Sequence, residues 1–337
     1  RRPRTPRAGE PGLALRTCRC GRRPGSPRAR AARAVLVSRS VRVGFVTQLL
    51  WERYGPFWKD LVEGSGAEAL FPEPEAVRAA LAALPEDAAP TAAFRLALAQ
   101  AAALEEADLL LLPRLNPEVD SERGSARDRW IADLPGALVA ALPSGVRHVA
   151  VAAYPDPAVE SDAVTLLTAL VRGAAEVGRV WARFRVRAQH LAEGRSETTR
   201  ARGEDRAAAR SFAHGDAVVY LAQPWVMTPA VARRLHERDD RVVTQLAVDP
   251  ARAREEGWRF DDRLLHTDAE VVGPARLLSR RAGAGEVRLI VDEGSESDAW
   301  LARRVEQVVR RPFTAVPWQE ALGASDPFDA LHALPVD

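Results

Sequence analysis

"RVGFVTQLLWERYGPFWKDLVEGSGAEAL", residues 42–70, begins as a short apolar strand, turns at Thr47 to Leu50, and runs on as a helical pattern. A further short strand pattern follows at "AEAL". Strand, helix and second strand in that order open a parallel α/β unit, because parallel neighbours must be joined by a crossover. The turn after the first strand is where many such units place a glycine-rich phosphate loop. Here it reads Thr47, Gln48, Leu49, Leu50, Trp51. Those residues offer hydroxyl, amide and indole groups but no nest of glycine N–H groups, so a nucleotide triphosphate is not expected there. The helix is predicted over roughly Pro56 to Glu63. The helical spacing of Trp51, Tyr54, Phe57 and Trp58 reads as core or interface packing, with stacking on a flat ligand as the alternative.

Working outward, the alternation continues. "PEPEAVRAALAALP" and "TAAFRLALAQAAALEEA" read as helices, "DLLLLPRL" and "RHVAVAAYP" as strands, and a long helical region runs from Asp162 to about Gly194. The hydrophilic "GRSETTRARGED", residues 194–205, then reads as an exposed crossing. A second block repeats the pattern through "DAVVYLAQPWV", "PAVARRLHER", "VVTQLAV" and "GEVRLIVDEGSESDAWLARRVEQVVRRPFTAVPW". The fold class predicted is α/β, with two Rossmann-like (flavodoxin-like) three-layer units and mostly parallel sheets: an N-terminal α/β domain over 41–212 with a long helical segment, and a C-terminal α/β domain over 213–337. Ligands in such sheets collect at the carboxyl ends of the strands. That rule selects Thr47 and Gln48, Arg114, Gln223 and Trp225, and the loop holding Ser295.

Composition narrows the function classes. Residues 1–40 hold twelve arginines and one acid, Glu10, a net of +11, whereas the whole chain carries only +2, which leaves the body at −9. The arm has no apolar periodicity and many Pro and Gly breakers, so it reads as a disordered or spurious segment, with organelle targeting or nucleic-acid binding as the alternative. Nucleic acid is not expected as a partner of the acidic body. Cys18 and Cys20 are the only cysteines, which excludes a disulfide framework and points to the cytoplasm. No apolar run reaches membrane-spanning length. His148, His190, His214, His236, His266 and His332 show no metal-binding spacing, and no nucleophile elbow, Walker loop or dinucleotide fingerprint occurs. The acidic loop of Asp292, Glu293, Glu296 and Asp298 suits either a hard cation or plain solvation.

The order of "YGPFWKDLVEGSGAEAL", "AAPTAAFRLALAQAAALEEADLLLLPRL", "WIADLPGAL", "AVVYLAQPWV" and "RLIVDEGSESDAW" resembles that of the D-component-like subunits of 2-hydroxyacyl-CoA dehydratases and of the acyl-CoA dehydratase activase-related proteins. The resemblance spans nearly all of residues 42–320. It implies a four-iron four-sulfur cluster held by cysteines in strand-end loops. The matching positions here are Ala88, Asp128 and Ser295, none of them a thiolate, and the family's His-Pro-Tyr-Asn turn is replaced by Gln223, Pro224, Trp225, Val226. Cluster iron needs soft sulfur donors, so the chain is expected to keep the scaffold without the redox centre, with no cofactor and no metal. Two readings stay open. One is a non-catalytic relative that binds a partner, such as an activase-like or dehydratase-like protein, or a small anionic ligand in the cleft between the blocks. The other is an enzyme of the same kind using a different or borrowed cofactor. For an anion the strand-end Arg114 is the expected contact, unless a nearby acid such as Glu118 already pairs with it.

Overall fold

The computed structural model describes residues 40–85, 89, 91–117, 124, 126–143, 145–194, 211–213 and 215–331. The expectations for residues 1–39, for Ala88, Glu118, His214 and His332, and for most of the 194–205 crossing lie outside the described residues. The described residues form one compact unit.

The first block runs β1 (Arg42–Phe45), α1 (Trp51–Gly64), β2 (Glu68–Leu70), α2 (Pro74–Ala83), α3 (Ala92–Ala102), β3 (Leu109–Arg114), α4 (Arg129–Ala132), α5 (Leu134–Ala141), β4 (His148–Ala152), α6 (Ala158–Leu170) and α7 (Ala174–Ala192). The second runs β5 (Ala217–Leu221), α8 (Pro229–Arg238), β6 (Val242–Thr244), α9 (Pro250–Trp258), α10 (His266–Leu278), β7 (Ala284–Val291), α11 (Glu296–Val308), β8 (Phe313–Pro317), α12 (Trp318–Leu322) and α13 (Pro327–Leu331). Each block forms a four-stranded, all-parallel sheet, ordered β2-β1-β3-β4 and β6-β5-β7-β8. The two orders are the same topology written twice. Both are doubly wound, with the strand order reversing at β1/β3 and at β5/β7, and these are the places where such sheets present a ligand crevice.

The α/β reading thus holds, with differences in the helices. Helix α1 starts at Trp51, earlier than Pro56, because Trp51, Tyr54, Trp58, Leu61 and Val62 form one buried stripe that carries the helix through the proline. The region after Asp162 is two helices and not one. Val171 leaves the helix in an extended conformation and Gly173 takes φ +93°, a turn that glycine adopts without strain. In the second block α9 and α10 have no counterpart among the predicted elements. From Thr267 to Ala275 α10 is buried along its whole length, so it lacks the polar face that makes a helix legible.

Core packing explains why the blocks form one unit. Residues of β1, α1, β3 and α6 fill one cluster, which also takes in Trp225 and Leu265 from the second block. Val77 of α2 and Leu96 of α3 join a second cluster with Met227, Val231, Phe328 and Leu331. The carboxyl-terminal helices therefore pack onto the amino-terminal block, and burying these side chains on both sides opposes separation by roughly 1.5–3 kcal/mol each. Among the described residues no helix is long and apolar enough to cross a membrane.

Candidate functional site between the two sheets

The carboxyl ends of the two sheets meet. The loop between β3 and α4 brings Asp128 against the loop that follows β7, where Ser295 Oγ donates to Asp128 Oδ2 at 2.6 Å and the Ser297 N–H donates to the same oxygen at 3.1 Å. In return the Asp128 N–H donates to Ser297 Oγ at 2.9 Å. Local sequence builds the second partner. Ser295 caps α11 by accepting the Asp298 N–H at 3.0 Å, and Asp298 Oδ2 accepts the Asp292 N–H at 2.8 Å, which folds "DEGSESD" into a tight helix-entry loop. Asp292 Oδ2 then reaches across to the Ala92 N–H at the start of α3, at 2.7 Å. Three carboxylates therefore gather at helix amino-termini, where backbone N–H groups and the helix dipole favour negative charge.

Their number has a cost. Asp298 is buried, and burial pushes its carboxyl up to about 7, with the Asp292 and Asp128 charges adding to the shift against the backbone N–H of Asp292. Gln223 lies close enough to ease the Asp298 charge. The residue is only 2% exposed and acts on that carboxyl as a hydrogen-bonding group. Trp225 packs edge-on against Trp130 of the first block at 5.2 Å, and Trp130 stacks on Phe94 at 5.7 Å. The Trp130 indole N–H is buried without an acceptor. A small, partly open cavity of about 20 Å³ lies here, lined in part by Thr91, Trp130, Trp225, Asp292, Ser295 and Asp298. That is room for one group the size of a water molecule.

The sequence-predicted residues divide accordingly. Ser295 and Trp225 line the cavity, Asp128 is hydrogen-bonded to Ser295 and Gln223 acts on Asp298, whereas Ala88 lies outside the described residues. Thr47 and Gln48 are buried elsewhere: the Gln48 N–H donates to Gln100 Oε1 at 2.8 Å, and Gln48 Nε2 donates to the Leu331 carbonyl at 2.9 Å, tying the first turn to α13. Leu49 and Leu50, in the same turn, both take φ +71°, a left-handed conformation that costs side-chain-bearing residues roughly 1–2 kcal/mol apiece. Burial of both leucines offsets that strain. Arg114 is paired with an acid other than Glu118: its Nη2 donates to Asp162 Oδ2 at 2.6 Å while that oxygen also accepts the Ala152 N–H at 2.9 Å, and the arginine side chain stays part-exposed. Burial lowers the Arg114 pKa, but the Asp162 hydrogen bond and charge outweigh it and the net shift is upward. Arg114 is not among the residues that line the cavity, whose ionisable groups are Asp292 and Asp298. Of the acidic loop, Asp292 and Asp298 turn inward and Glu293 and Glu296 stay exposed.

Sequence reasoning missed the other contacts between the blocks. Glu270 of α10 accepts Arg53 of α1 at 2.6 Å and Arg254 of α9 at 2.5 Å, a buried triad. Asn116, after β3, donates to Thr267 Oγ1 and accepts the Thr267 N–H, both at 3.3 Å. His266 is wedged between Tyr154 of the first block and Trp258. Burial, reinforced by the Arg254 charge, pulls His266 down to about 4, so the imidazole is neutral near pH 7. No local pattern marks these residues; a lone Asn, Glu or His signals a role only once its partner is known.

Comparison with protein-family models, with curated proteins and with solved structures finds no match to this chain. The four-iron cluster implied by the resemblance does not fit the residues at this site. Its donors are hard oxygens already hydrogen-bonded to each other, and thiolate is what such iron requires. Among the described residues no three His, Cys, Asp or Glu side chains lie close enough to share a metal ion.

Proposed function

We propose that this chain is a cluster-free relative of the 2-hydroxyacyl-CoA dehydratase subunit family, acting as a binding protein whose site lies between its two α/β blocks. One observation carries the reading: Asp128 and Ser295, which match two cluster-cysteine positions in motif order, are 167 residues apart and touch at 2.6 Å. Positions that share one inorganic centre must converge in space, and these two do. A hydrogen bond between carboxylate and hydroxyl occupies the place of the metal–thiolate bonds, so the loops stay pinned while the electron relay is gone. The lining carboxyls favour the binding of a partner or small molecule without negative charge over the anionic alternative, since an added anion would face Asp292 and Asp298. A drug- or cofactor-sized ligand needs roughly 300 Å³ or more, so the cavity of about 20 Å³ would take only a small group.

Purification without oxygen, followed by iron and acid-labile sulfide analysis, tests the reading. Less than stoichiometric iron is expected. About four irons per chain, the content of one such cluster, retained after removal of residues 1–39 with their two cysteines, would overturn it.

A further inference from the structure

The amino-terminal half of α10 joins the two blocks through residues that do not line the cavity. Asn116 of the first block holds Thr267, Arg53 of α1 reaches Glu270, and the Tyr154 ring lies against His266 with centroids 5.0 Å apart. The same imidazole meets Trp258 of α9 edge to face at 4.9 Å. Of these side chains only His266 is of a type that changes charge near neutrality, since an ordinary imidazole titrates at about 6.5.

Three features of the geometry oppose a second proton on this ring. Its Nδ1 is buried and has no hydrogen-bond partner among the described residues. An imidazolium carries N–H on both nitrogens, whichever tautomer the neutral ring adopts, so protonation leaves a buried donor without an acceptor. His266 is also the first residue of a 13-residue helix, where the positive end of the dipole disfavours a cation. Finally, the buried Arg254 guanidinium acts on it from α9. The acid nearest that arginine, Glu270, already serves both Arg254 and Arg53. Asp156, before α6, is the other acid acting on the ring, and its Oδ1 already accepts the Ala158 N–H at 2.6 Å. Tyr154 stays a neutral phenol, its ionisation pushed up by burial. Glu270 and Asp156 favour the imidazolium, but burial and the Arg254 charge outweigh them and hold His266 at about 4.

We propose that mild acid releases the amino-terminal end of α10 from the first block, with His266 as the proton-sensitive group. The neutral ring fills the space between Tyr154 and Trp258, whereas the protonated ring has no acceptor for Nδ1 until water reaches it. Apolar clusters that mix both blocks persist, so one end of the contact opens while the fold remains. Opening exposes an imidazole that titrates at about 6.5, against about 4 when closed, so acid favours the open form. The opening equilibrium therefore rises roughly twentyfold between pH 7 and pH 5. Asp298 works with the opposite sign, because the folded chain holds its proton more tightly, and it belongs to a different contact. The device does not depend on what the cavity binds.

Its test is hydrogen exchange on the full chain at pH 7 and pH 5, corrected for the intrinsic pH dependence of amide exchange. Residues 154–160 and 264–271 are expected to open roughly twentyfold more at the lower pH, while β1, β3, β5 and β7 keep their protection. His266→Phe keeps an aromatic ring between Tyr154 and Trp258 and cannot titrate, so both segments are expected to lose this pH dependence. NMR titration of the histidine rings in the parent chain needs no variant. The imidazole in contact with Tyr154 and Trp258 is expected to stay neutral at pH 5. Protonation of that ring near pH 6.5, acid-quickened opening that persists in His266→Phe, or equal opening at both pH values in the parent would each overturn the proposal.

Discussion

Asp298 shows how one side chain links the fold to solution conditions. Its carboxyl ionises at about 7 in the folded chain, against about 3.9 for an unperturbed aspartate. The folded state therefore holds the proton more tightly, and the sign is fixed: the stabilising contribution is complete below about pH 4 and is lost as pH rises through about 7, with a slope of up to about 1.4 kcal/mol per pH unit. Asp298→Asn keeps an oxygen to accept the Asp292 N–H and removes the titration. Urea unfolding at several pH values should show the variant gaining on the parent protein between about pH 4 and 7. A difference independent of pH would refute the assignment.

At the level of elements, the crossing of α9 and α10 depends on two glycines. A Cβ at Gly273 would lie 1.9 Å from the Ala253 carbonyl oxygen, and one at Gly257 would lie 2.6 Å from that of Ala269. Both clashes are with backbone, which cannot swing aside. Two effects compete in Gly273→Ala, since alanine is favoured over glycine in a helix interior by about 1 kcal/mol. Overpacking typically costs about 1–3 kcal/mol, and a backbone clash this close belongs at the upper end. The expected outcome is net destabilisation of about 1–2 kcal/mol with the helices forced apart. Displacement of α10 would also strain the Glu270 bonds to Arg53 and Arg254. Thermal unfolding measures the cost, and a variant as stable as the parent would show that the helices do not cross this closely.

For the whole molecule, the question is what holds two copies of one topology face to face. Apolar clusters that mix both blocks supply most of the attachment, while Asp128, Asp292, Asn116 and Glu270 fix the registration through hydrogen bonds and ion pairs. Asp128→Ala removes its bonds to Ser295 and Ser297, a loss of about 1.5–3 kcal/mol for charge-assisted contacts. Hydrogen exchange should then quicken at residues 126–133 and 292–298 while β1, β3, β5 and β7 keep their protection, because each sheet retains its own core. Uniform loss of protection across both sheets would show that the blocks cannot stand without this contact.

The α/β class and the strands of both sheets were legible in the sequence, because apolar strands and amphipathic helices announce themselves by period. "DLLLLPRL" and "AVVYL" admit little else. Motif order also placed Asp128 and Ser295 in one proposed site before their contact was visible. Buried α10 escaped notice because a helix apolar on every side has no period against a polar face. The fate of Arg114 was undecidable for a different reason. An arginine at a strand end meets a ligand or a neighbouring acid according to what the fold brings within a few ångströms, and here it brings Asp162, 48 residues away. Charge at the site was decided in the same way. The acids of residues 292–298 suit either a hard cation or plain solvation by sequence, but helix amino-termini draw Asp292 and Asp298 inward, near Asp128. Local sequence therefore fixed which elements form, because period and capping act between near neighbours. Only the tertiary structure fixed the chemistry of the space between them, because a side chain's partner and protonation depend on residues far away in the chain.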